Sequence, residues 1–137
     1  MKKVAKLLVL FIISLLLLTA CKYDRGIILF NTQPITKENA LTDEKVFTVG
    51  QRVYYLFIAP KRMENKYIRV QIFKMVENAP WGGNELVRRK DFRLMKDERF
   101  YHSDYFVLHS SGRYVMKVFS MDDLMNPLSI GDFYVRN

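Results

Sequence analysis

Arg113-Tyr114-Val115-Met116-Lys117-Val118-Phe119-Ser120 is the stretch whose reading decides the fold. Tyr114, Met116 and Val118 fall on one side of an extended chain, and Val115, Lys117 and Phe119 on the other. A strand points successive side chains to opposite faces, so this pattern suits a sheet with one face against a core. The same period recurs outward from it. In Tyr67–Val76, Ile68, Val70 and Ile72 share one face and Arg69 and Gln71 the other; near the C-terminus Phe133 and Val135 alternate with Tyr134 and Arg136. Eight stretches read as strands in all: Ile27–Phe30, Val46–Val49, Val53–Ala59, Tyr67–Val76, Glu85–Leu94, Asp104–His109, Arg113–Ser120 and Gly131–Arg136. They are rich in Val, Ile, Tyr and Phe, which strands favour. Breakers separate them: Gly50, Pro60, Asn78-Ala79-Pro80-Trp81-Gly82-Gly83, Ser110-Ser111-Gly112 and Asn126-Pro127. Beyond residue 20 no stretch keeps a helical period for three turns, and the best helical candidate is one turn near Met121–Met125. The expectation is an all-β, antiparallel sandwich of seven to eight strands.

Ser110-Ser111-Gly112 stands immediately before Arg113-Tyr114. A polar residue, a glycine and a tyrosine at alternate positions, just ahead of the penultimate strand, resemble the tyrosine corner of immunoglobulin-like domains. The resemblance implies that the Tyr114 hydroxyl bonds back to the upstream backbone and fixes the turn. Met116 stands where a disulfide-bonded immunoglobulin carries its second cysteine, which excludes that subclass but not the sandwich. Trp81 lies in a loop and is no match for the core tryptophan. The tail from Val118-Phe119-Ser120 through Gly131-Asp132-Phe133-Tyr134-Val135 resembles the last hairpin of bacterial immunoglobulin-like modules, so the likeness spans roughly residues 44–136. Fibronectin-like and other seven-strand sandwiches fit the same pattern.

The chain has 137 residues, room for one domain, and 14% of them are aromatic, a load that disordered chains lack. Its formal charge is +8; without Lys2, Lys3 and Lys6 it is +5. That modest excess suits a domain near an anionic membrane surface and does not require nucleic acid, which is not an expected partner. Cys21 is the single cysteine, so no disulfide forms within one chain.

The position of Cys21 gives it a different role. Met1 to Lys6 is a basic segment, and Leu7 to Leu18 is an apolar run of 12 residues, within the usual range for a signal peptide. Leu18-Thr19-Ala20-Cys21 follows and resembles the lipobox of bacterial lipoproteins. The resemblance implies diacylglycerol transfer to the Cys21 sulfur and cleavage between Ala20 and Cys21. The expected organisation is a signal peptide over 1–20, a lipidated N-terminus and short tether over 21–26, and the sandwich over 27–137. Two or three acyl chains anchor a protein stably, so the membrane is an expected partner through lipidated Cys21, with no cofactor beyond that covalent lipid. Lys22 lacks the aspartate that retains lipoproteins in the inner membrane. The expected location is the bacterial envelope: the outer membrane in a Gram-negative cell, the outer face of the plasma membrane in a Gram-positive one.

Candidate sites beyond Cys21 are sparse. His102 and His109 fall on opposite faces of an extended segment, and a zinc site would need carboxylates from elsewhere, with Asp104 on the face of His102. They are expected to be ordinary surface or rim histidines, without metal. No serine sits in a glycine-flanked nucleophile elbow, and Asp97-Glu98 and Asp122-Asp123 read as solvated turns. Arg88-Arg89-Lys90, extended by Arg93 and Lys96, is the strongest charge cluster; it suits a solvated edge strand, or contact with anionic lipid or an acidic polymer. Trp81, between Pro80 and two glycines, suits either a partner contact or a cover for the end of the core. Arg69, Gln71, Phe73, Lys117, Phe119, Tyr134 and Arg136 are expected on one outward sheet face, a mixture suited to protein or glycan contact. The reading is a non-enzymatic envelope lipoprotein that binds another envelope protein or a surface polymer, with no small-molecule substrate. A structural accessory subunit is the chief alternative, and an enzyme the distant third.

Overall fold

The computed structural model describes residues 25–77 and 83–137. They form β1 (Ile27–Asn31), β2 (Val46–Thr48), β3 (Arg52–Ile58), β4 (Tyr67–Met75), β5 (Asn84–Arg93), β6 (Tyr101–Val107), β7 (Gly112–Ser120) and β8 (Ser129–Arg136). One sheet has the order β1-β3-β6 and the other β2-β8-β7-β4-β5. Buried residues of both sheets meet in one core, so the chain is an all-β, immunoglobulin-like sandwich. In immunoglobulin lettering β3 and β6 take the places of strands B and E, and β4, β7 and β8 those of C, F and G, divided between the sheets in the same way.

The centre of the core is aromatic. Phe133 of β8 lies 4.9 Å from Phe30, 5.4 Å from Phe106 and 6.0 Å from Phe47, and stacks on Tyr114 at 5.6 Å. Phe30 and Phe106 come from one sheet and the other rings from the opposite one, so the cluster joins the layers. Such pairs add about 0.5–1.5 kcal/mol each beyond simple burial. Met116 is fully buried in the same core, and apolar packing there takes the place of a disulfide. Gly131 admits β1 at close range, since a Cβ there would meet Phe30 Cε2 at 3.0 Å.

The pairing departs from the expected pattern in three places. Five of the six strand pairs are antiparallel, but β2 runs parallel to β8. After β1 the chain crosses to the other sheet through residues 32–45 and keeps its direction, which brings β2 alongside β8. Secondly, β6 starts at Tyr101, not Asp104. His102 and Asp104 lie on its inner face, and two polar residues there hid the period-two signal. Thirdly, Met121–Met125 is a turn and not helical. The Asp123 carboxylate accepts the Met125 and Asn126 backbone N–H groups at 3.1 Å, closing an Asx turn.

Register defines two ends. At the proximal end Ile27 pairs with Ile58, Ile58 with Tyr101, Tyr67 with Arg93 and Ile68 with Ser120. Segments 59–66, 94–100 and 121–128 therefore gather beside the start of β1. Gly26 is fixed there: its N–H donates to the Leu128 carbonyl at 2.8 Å, and its carbonyl accepts the Ser129 hydroxyl at 2.6 Å. The distal end holds turns 49–51 and 108–111, joined by a Gly50 N–H to Leu108 carbonyl bond of 2.9 Å.

Candidate functional site

The outer face of the five-stranded sheet brings most of the sequence candidates together. Val46, Tyr134 and Arg113 form a rung across β2, β8 and β7. Asp132, Val115, Phe73 and Leu86 form the next, from β8 to β5. Ile130, Lys117, Gln71 and Arg89 form a third, and Phe119, Arg69 and Asp91 a fourth. A bulge makes the β5 end of this pattern: Ile72 pairs with Arg88 but Phe73 with Leu86, which leaves Val87 unpaired and turns Leu86 outward.

Charges on this face are held in place. Arg69 grips the Asp91 carboxylate through Nε at 2.8 Å and a second nitrogen at 3.1 Å, and this hydrogen bonding holds the Asp91 carboxyl below its usual range. Arg113 bonds Asp132 at 3.1 Å while its guanidinium lies 5.9 Å from the Tyr134 ring centre. Lys117 Nζ sits 5.3 Å from the Phe73 ring centre. Among these, Val46, Leu86, Ile130 and Tyr134 stay exposed.

Phe119 corrects the expectation of an exposed ring. It is only 7% exposed, although it faces away from the main core cluster. It lies where the chain folds back past the end of β7: Asp123 N–H donates to the Ser120 carbonyl and Leu128 N–H to the Val118 carbonyl. Arg69, pinned by Asp91, is its cross-strand partner.

The basic run also divides. Strand alternation turns Arg89 to the outer face, while Arg88 and Lys90 pair with the core residues Ile72 and Val70 and face the seam between β5 and β6. Lys90 Nζ meets Asp104 Oδ2 at 3.3 Å and lies 4.7 Å from the Phe92 ring centre. β5 is an edge strand, as the basic residues suggested. The seam encloses only about 10 Å³, room for about one water. Tyr55 lines it, and burial pushes its hydroxyl pKa up, so it stays neutral.

His102 is buried, not a surface residue. Its ring lies 4.2 Å from that of Phe92, its Nε2 has no partner among the described residues, and burial lowers its pKa. His109 is exposed in the distal turn. Among the described residues no group of three or more His, Cys, Asp or Glu gathers to hold a metal. A wider cleft of about 390 Å³ opens at the proximal end, with Lys61 and Arg62 on one wall and Asp122 and Asp123 on the other.

Ala20, Cys21 and Trp81 lie outside the described residues. Val46, Arg113, Leu86 and Ile130 were missed in the sequence. The alternation of the last strand extends back to Ile130 and would have found it; Val46 joins Tyr134 only through the parallel pairing, which leaves no local signal.

No family model matches the chain, and no curated protein matches it. Solved structures do resemble it. A Niemann-Pick type C2 protein from the Japanese carpenter ant aligns at 12% identity and a TM-score of 0.50, over 84% of this chain and 94% of that one. An immunoglobulin-like protein from Pseudomonas aeruginosa aligns at 11% and 0.47, over 84% and 99%. The PmoD soluble domain from Methylocystis sp. aligns at 14% and 0.44, over 83% and 93%. At these identities the likeness is one of fold alone.

Proposed function

We propose that this chain is a membrane-anchored envelope lipoprotein, without enzymatic activity, whose sandwich binds another envelope protein through the outer face of the five-stranded sheet. The basic segment, the apolar run and Leu18-Thr19-Ala20-Cys21 support the anchor. Among the described residues no helix is long and apolar enough to cross a membrane, and in this reading attachment rests on the lipid at Cys21. The single observation behind the binding role is the rung Val46–Tyr134–Arg113. It sets an exposed aromatic ring between an exposed apolar residue and a guanidinium already fixed by Asp132. Apolar exposure on this face favours a protein partner over a surface polymer.

The test is affinity capture of the full chain from detergent-solubilised membranes, beside the double variant Arg113→Glu, Tyr134→Ser. The expected result is a co-purifying envelope protein that the double variant loses while keeping its melting temperature. Equal capture by both proteins contradicts this assignment of the face.

A further inference from the structure

We propose that the proximal end of the sandwich is itself a membrane-docking surface, seated in the bilayer that holds the Cys21 lipid. This rests on the lipidation of Cys21 put forward above.

Gly26 is bonded to Leu128 and Ser129, so the chain enters the domain at the proximal end. Five residue steps separate Cys21 from Gly26 in the sequence, a span of at most about 18 Å at 3.3–3.6 Å per residue. A domain held that closely by this end must keep it at or near the headgroups.

That end has the surface such a position calls for. Ile27, Ile58 and Tyr101 are register partners on the outer face of the three-stranded sheet, and all three are exposed. They make an apolar rung at the edge nearest the tether. Phe100 adjoins Tyr101 and is exposed, and two loop tips carry bare methionines, Met95 at 62% and Met125 at 87% exposure. Exposed apolar side chains clustered at one end mark an interaction site, whereas scattered ones need no explanation. At the distal end the turns 49–51 and 108–111 expose no large apolar side chain, and among the described residues beside them Val76 is exposed, at 41%.

Lys61, Arg62 and Lys96 are exposed among these apolar residues, and their long side chains can reach phosphates while their stems lie against apolar surface. Glu64, Asp97, Glu98, Asp122 and Asp123 lie at the same end and offset that charge, so apolar insertion provides the attraction. An end-on seat stands the strands upright. Tyr134 then sits five residues along β8 from Ser129, about 17 Å up at roughly 3.3 Å per residue, facing sideways toward a neighbour on the same membrane.

The test uses the lipidated full-length product, purified from membranes and reconstituted in phosphatidylethanolamine and phosphatidylglycerol vesicles that contain a shallow-nitroxide phosphatidylcholine. Thioether formation occupies the Cys21 sulfur, so Met125→Cys, Met95→Cys or Ser111→Cys provides one thiol for an environment-sensitive fluorophore. Insertion by roughly 5–10 Å predicts quenching about threefold or more stronger at positions 125 and 95 than at 111, with blue-shifted emission. Equal, weak quenching at all three positions, in protein that carries labelled palmitate, overturns the docking surface and leaves the anchor standing. Absence of palmitate from Cys21 overturns the anchor and the docking surface together.

Discussion

The Tyr114 hydroxyl donates to the Ser110 carbonyl oxygen at 2.6 Å and lies 2.8 Å from the Ser110 hydroxyl, tying β7 to the turn before it. Tyr114 is fully buried and Ser110 is exposed, so the bonds lie at the edge of the core. Gly112 makes the turn possible: its φ of 149° is one that side chains rarely adopt, and a Cβ would meet Lys74 Cε at 2.8 Å. Tyr114→Phe keeps the ring and removes the hydroxyl. The expected loss is about 1–2 kcal/mol, or roughly 4–8 °C in melting temperature for each kcal/mol. Thermal unfolding followed by circular dichroism measures it, and an unchanged midpoint would show that the corner adds nothing to stability.

Phe119 and Tyr134 both belong to the outer face but differ in burial, 7% against 47% exposed. Phe119→Ser should cost roughly 2–4 kcal/mol through lost burial. Tyr134→Ser should stay within about 0.5 kcal/mol, as surface changes do. Urea titration of both variants checks the difference, and equal destabilisation would contradict the assigned burial.

His102 predicts a dependence on pH. Burial is the largest influence and pushes its pKa down; Asp104 and Glu98 oppose it, and Lys90 adds to it. The unfolded imidazole, near its usual value of about 6.5, therefore binds its proton before the folded one does. The contribution to stability is complete above that value and is lost as pH falls from there through the folded pKa. His102→Phe should reduce the fall in melting temperature between about pH 7.5 and about pH 5. An identical fall in both proteins would place the acid sensitivity elsewhere.

The fold was legible wherever one strand face is uniformly apolar. Tyr114, Met116 and Val118 read correctly because every second residue enters the core. Alternation places β6 at Asp104–His109 and the strand runs Tyr101–Val107, because His102 and Asp104 occupy inward positions at the seam, where charge pairing and ring contacts replace apolar packing. The candidate face was legible in part. Tyr134, Arg69 and Lys117 follow from alternation, whereas alternation puts Phe119 on the same face and carries no signal of its burial. The run Arg88-Arg89-Lys90 looked like one patch, but a strand sends adjacent residues to opposite sides. The bulge at Val87, which brings Leu86 to the outer face, has no glycine or proline beside it to announce it.

The lipidation proposed at Cys21 underlies both the proposed location and the proposed end-on orientation. Growth of bacteria expressing the full chain with radioactive palmitate, beside a Cys21→Ser variant, tests it most directly. The account predicts label on the wild-type protein, removal of residues 1–20, and neither in the variant. Equal label on both proteins, or an unlabelled wild type, would contradict it.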